Sequence, residues 1–336
     1  MVIATPYLLY IGRTSNEFDI KTSRGLAVFR PEACVGEFRH DECPLTLGLP
    51  RMTFAEAVRA GARTLVLGIA NAGGSLGAGT VDDAVAALEA GLDLASGLHQ
   101  RLRDEPRLVE TAARCGRTLH DVRDPRPDLP VGNGKRRAGK RLLTVGTDCS
   151  VGKMYTTLRL TEGLRDRGVD ASFRATGQTG ILIAGEGVPL DAVVADFIAG
   201  AIEQLAPARE DGGWDLIEGQ GSLFHPGFAG VSTGLLHGAQ AAALVLCHDP
   251  SRPHMRGLPH YAMPDLRECL EANLRVAGLT SPAVRAVGVS LNTSKLAPED
   301  AARLCAETEA AIGLPCVDPM TMALDPILDG IEACGG

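Results

Sequence analysis

Aromatic residues are scarce in this chain of 336 residues, which has 8 Phe, 4 Tyr and 1 Trp. So few rings disfavour recognition of RNA by base stacking. An excess of positive charge is also absent, because 33 Lys and Arg stand against 41 Asp and Glu, for a net charge of -8. This balance disfavours a general nucleic-acid or anionic-membrane surface, although it allows a local basic pocket. The composition therefore points to small-molecule partners.

Long apolar runs and paired cysteine motifs are missing as well. No stretch approaches 18 uncharged apolar residues, and no basic segment precedes the apolar start from Val2 to Ile11. We therefore expect neither a membrane span nor a signal peptide, and a cytoplasmic protein. The nine cysteines are scattered without a C-x-x-C pair, which is typical of reduced thiols. Cys34, His40 and Cys43 lack an evident fourth ligand, so we predict no metal site.

Short β-branched or Leu-rich runs alternate with longer stretches rich in Ala, Leu and charge. This alternation is typical of β-α units and predicts an α/β fold. In the first half it predicts strands at residues 25–29 and 64–69, and helices at 54–60 and 81–90.

Proline and glycine interrupt the sequence between Asp121 and Lys140, where no hydrophobic period is present. Such a segment is typical of a linker between domains. We predict a first domain at residues 1–125, a linker at 126–139 and a second domain at 140–336.

The second domain restarts with apolar runs that predict a parallel sheet covered by helices, because the runs are short and separated by helical spacings. A helix is predicted at about residues 152–167. The predicted strands lie at 141–145, 171–174, 216–217, 242–247, 284–291 and near Cys316.

The strongest chemical pattern is LLTVGTDCSVGKMYTT, from Leu142 to Thr157. A buried-strand pattern precedes its glycines and lysine, and a helix pattern follows them. Glycines let backbone N–H groups converge on phosphate oxygens, while the helix N-terminus and the lysine add positive charge. The alternative is a tight turn with an exposed lysine. The residues predicted to bind a phosphorylated cofactor are Gly146, Thr147, Asp148, Cys149, Ser150, Val151, Gly152, Lys153, Met154 and Thr156.

This loop departs from the usual phosphate loop in two ways. Five residues separate Gly146 from Gly152, a spacing that, with the GTD start, resembles dethiobiotin synthetase-like P-loop enzymes. Met154 stands where a Ser or Thr usually holds magnesium. Thr156 and Thr157 are the alternative hydroxyls, one helical turn further on. Phosphate binding is therefore better supported than magnesium-dependent hydrolysis.

Three other segments carry candidate site residues. Glu218, at the end of a short apolar strand, resembles the Glu-Gly motif of dethiobiotin synthetase, where a carboxylate binds metal or orients a nucleophile; its alternative is a Gly-rich turn. Arg174, Gln178 and Thr179 in FRATGQTG are predicted to bind a substrate carboxylate or amide, or else form a polar loop. Asn292 follows an apolar strand and is predicted to read an adenine edge, with a purely structural turn as the alternative.

The Pro-rich segment CHDPSRPHMRGLPH follows a buried strand and is typical of a lid over a site. It contains Arg252 and Arg256, whose planar guanidinium groups are suited to carboxylates. Its histidines, His248, His254 and His260, are six residues apart. This spacing does not bring three side chains together in a helix or a hairpin, so we do not predict a metal site there.

Several motifs in the same order resemble a single two-domain family over nearly the full length of the chain. This family joins a Rossmann-like N-terminal domain to a P-loop domain, was long without a known function, and includes the D-glutamate N-acetyltransferases of the DgcN type. The motifs are KTSRGL (21–26), LVLGIANAGG (65–74), GLDLASGLH (91–99), LHDVRDP (119–125), GTDCSVGK, GQTG, IEGQGS and SLNT.

The resemblance implies transfer of acetyl from acetyl-CoA to the amino group of an acidic D-amino acid, most of all D-glutamate. It also implies a dehydrogenase that takes the N-acetyl product as a partner, and we expect a homo-oligomer. Coenzyme A carries an adenine and phosphates, so Lys153 and Asn292 are suited to hold it without hydrolysis.

Acetyl transfer needs a base for the amine proton and donors for the oxyanion of the thioester. Glu218 and His225 are the candidate bases, and the backbone N–H groups of residues 219–222 are the candidate donors. Cys149 is an alternative acyl-accepting nucleophile beside a helix N-terminus, or else a small buried residue of the loop. Arg174, or Arg252 together with Arg256, is expected to hold the substrate carboxylates.

Two rival classes remain open. The first is an ATP- and magnesium-dependent ligase or carboxylating enzyme of the dethiobiotin synthetase type, which Asp148, Lys153 and Glu218 favour and Met154 opposes. The second is a nucleotide-binding protein without catalysis, which needs the same loop but no base near the ligand.

Overall fold

The chain divides into two compact units. Unit 1 comprises Met1–Asp124 and Gln178–Pro189, and unit 2 comprises Pro125–Gly177 and Leu190–Gly336. The computed structural model describes residues 3–69, 73–125 and 127–334. The predicted domain boundaries stay a prediction. The chain enters unit 1 again at Gln178, so unit 1 also contains a helix from the second half of the sequence.

Unit 1 is an α/β unit whose helices carry local start and stop signals. Thr53 and Glu56 form a reciprocal capping box at the start of α2, and Gly91 ends α3 in the left-handed conformation, with φ of 104°. In chain order the elements are β1 (Tyr7–Gly12), α1 (Lys21–Phe29), β2 (Cys34–Arg39), α2 (Phe54–Arg59), β3 (Thr64–Leu67), α3 (Ala78–Ala90), β4 (Asp93–Ser96), α4 (Pro106–Cys115), β5 (Leu119–Asp121) and α6 (Gln178–Ala184).

The sheet of unit 1 is parallel and has the strand order β2-β1-β3-β4-β5. All six residues of β1 are buried, as expected for a central strand covered on both faces. The chain order reverses between β1 and β3. In open parallel sheets, ligands bind at the carboxyl ends of the strands beside such a reversal.

The strand predicted at residues 25–29 is wrong, because these residues end helix α1. Thr22, Ser23, Gly25 and Leu26 are buried, which is one face of a helix. An apolar run of five residues does not by itself distinguish the two structures. The helices predicted at 54–60 and 81–90 and the strand at 64–69 are confirmed within a few residues.

Unit 2 is also an α/β unit, and each of its predicted strands is confirmed. The elements are β6 (Lys140–Gly146), α5 (Lys153–Asp166), β7 (Ala171–Arg174), α7 (Ile198–Leu205), β8 (Trp214–Ile217), α8 (Ala229–Ala239), β9 (Ala243–His248), β10 (His254–Met255), β11 (Leu258–Ala262), α9 (Leu266–Gly278), β12 (Arg285–Leu291), α10 (Pro298–Ile312), β13 (Cys316–Val317) and α11 (Asp325–Ala333).

The sheet of unit 2 is parallel, with the order β13-β12-β9-β6-β8-β7. Its core contains Leu142, Trp214 and Val245, which come from three adjacent strands. Because the strands are parallel, the loops that follow β6, β8, β9 and β12 meet at one edge. None of the helices in the described ranges is both long and apolar enough to cross a membrane.

Candidate functional site

The phosphate loop of unit 2 joins the central strand β6 to helix α5, as predicted. Gly152 has a φ of 104° and precedes Lys153, the first residue of α5. The Lys153 side chain is 6% exposed, and its Nζ donates to Asp148 O at 2.7 Å. Burial lowers the pKa of this ammonium group. A buried cation whose partner is a backbone carbonyl at a helix N-terminus is suited to an anionic ligand.

Asp148 connects the loop to the segment predicted to be a lid. Its buried carboxylate accepts hydrogen bonds from Arg256 N at 2.7 Å and from Arg252 Nη1 at 3.2 Å. Arg252 also donates to Cys149 O at 2.8 Å, and Arg256 Nη1 donates to Ser150 Oγ at 2.6 Å. The two arginines thus hold the phosphate loop, and their role in binding a substrate carboxylate stays a prediction.

The hydroxyls that follow Met154 have partners within the fold. Thr156 Oγ1 donates to Gly152 O at 3.1 Å and shares a hydrogen bond with Ser290 Oγ at 2.8 Å. Thr157 Oγ1 donates to Lys153 O at 2.7 Å. Both threonines therefore hold the start of α5, and their role as alternative magnesium-binding hydroxyls stays a prediction.

Glu218 follows β8 at the same edge of the sheet and is 4% exposed. Its Oε2 accepts from Thr176 N at 2.9 Å and from Gly177 N at 3.1 Å. Burial raises the pKa of this carboxyl to about 7, although the two N–H groups and the charge of Lys153 oppose the shift. A carboxyl with such a pKa is suited to proton transfer near neutral pH.

The raised pKa of Glu218 predicts how stability depends on pH. The folded chain binds more protons than the unfolded chain between the ordinary pKa of a glutamate side chain, 4.5, and the folded pKa of about 7. Stability should therefore fall as pH rises through this interval, by roughly 3 kcal/mol at most. Glu218→Gln should melt close to the wild type at pH 5 and above it at pH 8. A variant that melts below the wild type at pH 8 would contradict the pKa shift.

His225 lies in the loop between β8 and α8 and is 5% exposed. Its Nδ1 accepts from Gly227 N at 3.1 Å, so the neutral ring carries its hydrogen on Nε2. Nε2 is buried without a hydrogen-bond partner in the described part of the chain. In this tautomer the ring presents a donor, whereas the predicted role as a base requires an acceptor; that role stays a prediction.

The loop that contains Glu218 and His225 packs against the phosphate loop. Ser222 Oγ donates to Thr147 O at 3.0 Å. Gly219 N donates to Thr144 Oγ1 at 2.9 Å, so this predicted oxyanion donor already has a protein acceptor. A Cβ at Gly219 would lie 1.8 Å from Thr144 O, which is why only glycine fits there.

Asn292 and His248 end the two strands on the other side of β6. Asn292 N donates to His248 O at 2.8 Å, and a Cβ on Gly152 would lie 4.0 Å from the Asn292 Cβ. His248 Nδ1 shares a hydrogen bond with Thr147 Oγ1 at 2.9 Å, and burial lowers the pKa of its imidazole. Like Glu218, His248 is a polar residue at the end of a buried strand, and this pattern is the sequence signal for its place beside the phosphate loop.

Three predicted substrate residues have protein partners or belong to unit 1. Arg174 forms an ion pair with the buried Asp215, at 2.8 Å. Gln178 and Thr179 begin α6, which belongs to unit 1. Their role in substrate binding stays a prediction.

Metal ligation has no candidate cluster among residues 3–69, 73–125 and 127–334, where no three His, Cys, Asp or Glu side chains are grouped to hold an ion. His40, which with Cys34 and Cys43 lacked a fourth ligand in the sequence, instead pairs through its Nε2 with the carboxylate of Asp83 at 2.8 Å.

The fold and this site define a two-domain α/β protein with a phosphate loop in its second unit. Residues 34–125 match the Rossmann-like domain described as domain of unknown function DUF1611_N, and residues 130–328 match the P-loop domain described as DUF1611_C. The chain therefore belongs to the DUF1611 family, and the predicted Rossmann-like and P-loop domains are confirmed.

Similar proteins cover almost the whole chain. A relative from Tritonibacter scottomollicae is 50% identical over 99% of this chain and 100% of its own, and is named D-glutamate N-acetyltransferase. A relative from Pseudoalteromonas sp. with the same name is 47% identical over 98% of this chain and 99% of its own. The crystal structure of a DUF1611 family protein from Anabaena variabilis is 32% identical, with a TM-score of 0.88 over 98% of this chain and 100% of that one.

Proposed function

We propose that this protein transfers the acetyl group of acetyl-CoA to the amino group of an acidic D-amino acid, with D-glutamate as the substrate. The names of the two relatives support this activity, since both align with the chain from end to end. The observation that carries the proposal is Glu218, a buried carboxyl with a pKa of about 7 at the edge of the sheet that also holds the phosphate loop.

Acetyl-CoA is the co-substrate that the loop residues suit. Its phosphates need donors and positive charge, which the N-terminus of α5 and the buried Lys153 ammonium supply. Asn292, beside Gly152, is proposed to read the adenine edge through its amide. Binding through these groups needs no magnesium, so Met154 in place of Ser or Thr is compatible with the proposal.

The proposed reaction starts from the neutral amine of the amino acid, whose nitrogen attacks the thioester carbon. Glu218, ionised, takes the proton that the amine loses as the new C–N bond forms. The C–S bond breaks, the CoA sulfur leaves as a thiolate, and the proton held by Glu218 passes to it, which gives free thiol and restores the carboxylate. The Nε2–H of His225 is proposed to donate to the developing oxyanion, since it is buried and has no acceptor among the described residues.

The partner enzyme, the oligomeric state and the cellular location belong to the same proposal. A dehydrogenase that consumes the N-acetyl product, assembly as a homo-oligomer and a cytoplasmic location all stay predictions, as does carboxylate binding by Arg174, Arg252 and Arg256.

A thiol-release assay tests the proposal directly. With acetyl-CoA and D-glutamate, in the presence of a chelator and without ATP, the protein should release free CoA and form an N-acetylated product. Phosphoryl chemistry usually needs an ion to neutralise charge in the transition state, whereas acetyl transfer does not. A parallel reaction with ATP and magnesium is the comparison. ADP formation there, with no thiol release across acidic D- and L-amino acids, would replace the proposal with the ligase alternative.

A further inference from the structure

A cavity of about 290 Å³ lies at the amino edge of the sheet of unit 2, opposite the phosphate loop. Arg141 is the second residue of β6, Ala242 directly precedes β9 and Arg285 begins β12, and all three line this cavity. Arg136 and Arg137, just before β6, line it as well. We name it the basic cavity, because its described lining contains four arginines and no Asp or Glu.

The basic cavity takes most of its charge from a run at the end of the segment predicted to link the domains. Residues 135–141 contain five Lys or Arg, and no acidic residue stands between Asp128 and Asp148. In a chain with a net charge of -8, this run is a local excess of positive charge. A small region of positive charge in an acidic protein is suited to an anionic partner.

Two of the four arginines are held in the wall of the cavity by backbone carbonyls. Arg137 Nη1 donates to Glu203 O at 3.1 Å and its Nη2 to Ala239 O at 3.3 Å, so this side chain joins the ends of α7 and α8. Arg141 Nε also donates to Ala239 O, at 3.0 Å. Neither guanidinium group forms an ion pair with a carboxylate in the described ranges, so both keep their full charge.

This arrangement places two positive charges close together away from water. Burial lowers the pKa of both guanidinium groups, that of Arg137 to about 10, and the charge of Arg141 adds to the shift of Arg137. A desolvated charge without an opposite charge beside it is costly. An anion in the cavity would reduce this cost for both arginines at once.

The other two arginines can contact such an anion directly. Arg136 and Arg285 are exposed, and neither guanidinium group donates to any residue that the structure describes. Ser281 adds a hydroxyl to the same lining. The cavity therefore offers N–H and O–H donors together with positive charge.

These groups select a multivalent anion that has no ammonium group. An amino acid such as D-glutamate brings an ammonium group, for which the described lining provides no carboxylate. A phosphate group has acceptor oxygens and about two negative charges at neutral pH, and guanidinium groups bind it through parallel hydrogen bonds. The volume of about 290 Å³ limits the ligand to a small molecule.

We propose that the basic cavity is a second anion site, which binds a small phosphate-bearing molecule through the guanidinium groups of Arg136 and Arg285. Arg137 and Arg141 supply further positive charge from the wall. The site lies at the edge of the sheet opposite Lys153 and Glu218, and it takes no part in the acetyl transfer proposed above.

Calorimetric titration with inorganic pyrophosphate tests the site in the full chain with Lys153→Met, which removes the cation of the phosphate loop. Pyrophosphate should bind to this variant. Arg136→Met and Arg285→Met together, on the same background, should weaken binding at least about tenfold, because charge-assisted hydrogen bonds are lost. Arg303→Met is the matched control, since Arg303 is an exposed arginine of α10 that pairs with Asp300 and lies outside the cavity lining. It should leave the affinity unchanged.

Alkylation of Cys334 is a second measurement that needs no change in the phosphate loop, and it decides the test if Lys153→Met does not fold. Cys334 lines the basic cavity. In the wild type, pyrophosphate should slow the alkylation of this thiol, as measured by mass spectrometry. In the chain with both arginine substitutions, pyrophosphate should have no effect on this rate.

Three results would overturn the proposal. The first is equal affinity with and without the two arginines, or no binding together with no protection of Cys334. The second is tighter binding of succinate, a dicarboxylate, which would contradict a phosphate ligand. Gly335 and Gly336 follow Cys334 and lie outside the described residues, so the titration is repeated with the C-terminus extended by a Gly-Ser linker. The third result is binding to the extended chain alone, which would make the terminal carboxylate the anion of the cavity. Acetyl transfer stands or falls separately, by the thiol-release assay.

Discussion

Replacement of Glu218 by glutamine is expected to lower kcat for acetyl transfer at least about a hundredfold, with little change in acetyl-CoA affinity. The amide oxygen can still accept from Thr176 N and Gly177 N, which now bind Oε2 at 2.9 and 3.1 Å. It cannot take a proton from the amine, so the loop should stay in place while the chemistry is lost. Thiol release measures the rate, and calorimetric titration measures the affinity.

The pH profile and a second buried glutamate serve as controls for this variant. Wild-type kcat/KM should rise with pH through about 7, because the base must be ionised. Glu37→Gln changes a fully buried carboxylate of unit 1 that accepts from Leu47 N at 2.6 Å. We expect this control to alter stability without a hundredfold loss of kcat. Full activity in Glu218→Gln would show that another group is the base.

Replacement of Lys153 by methionine is expected to weaken acetyl-CoA binding about ten- to a hundredfold. A charge-assisted hydrogen bond to a phosphate is worth about 1.5 to 3 kcal/mol, and methionine keeps most of the buried volume while removing the charge. The fold should remain, because burial lowers the pKa of this ammonium and its Nζ donates to Asp148 O, a backbone acceptor within the same loop. Circular dichroism checks that the fold remains, and calorimetric titration measures the affinity for acetyl-CoA.

Lys140→Met is the matched control for the phosphate loop. Lys140 begins the strand that Gly146 ends, so it lies at the opposite edge of the same sheet. Its replacement should leave acetyl-CoA affinity unchanged. If Lys153→Met binds both acetyl-CoA and ATP as tightly as the wild type, the loop does not bind phosphates.

The sequence predicted the second unit more accurately than the first. Its strand, phosphate loop and helix follow one another within residues 140–166, and long apolar strands such as β9 and β12 are plain in the sequence. In the first unit, β1, β2, β4 and β5 were not predicted. The short strands DLAS and LHD carry polar residues and take their strand conformation from their neighbours in the sheet.

The sequence identified which residue types belong to the candidate site and their order in the chain. It did not reveal the hydrogen-bond partners of these residues in the folded protein. Arg252 and Arg256 were predicted to meet a substrate, yet the folded chain pairs them with a loop more than 100 positions away. The His225 tautomer depends on the backbone of Gly227, two residues further on, in a loop conformation that no pattern reveals.

The α/β class, the phosphate loop from Gly146 to Lys153 and the place of Glu218 at a strand end were determined by the sequence alone, because periodicity, glycines and chain order are local properties. The raised pKa of Glu218 and the hydrogen bond between Thr22 and Thr179 were decided only by the tertiary structure. Thr176 N lies 42 positions from Glu218, and Thr22 meets Thr179 across 157 positions. The residues that bury these groups and form hydrogen bonds with them are far away in the chain, so no local sequence pattern reveals them.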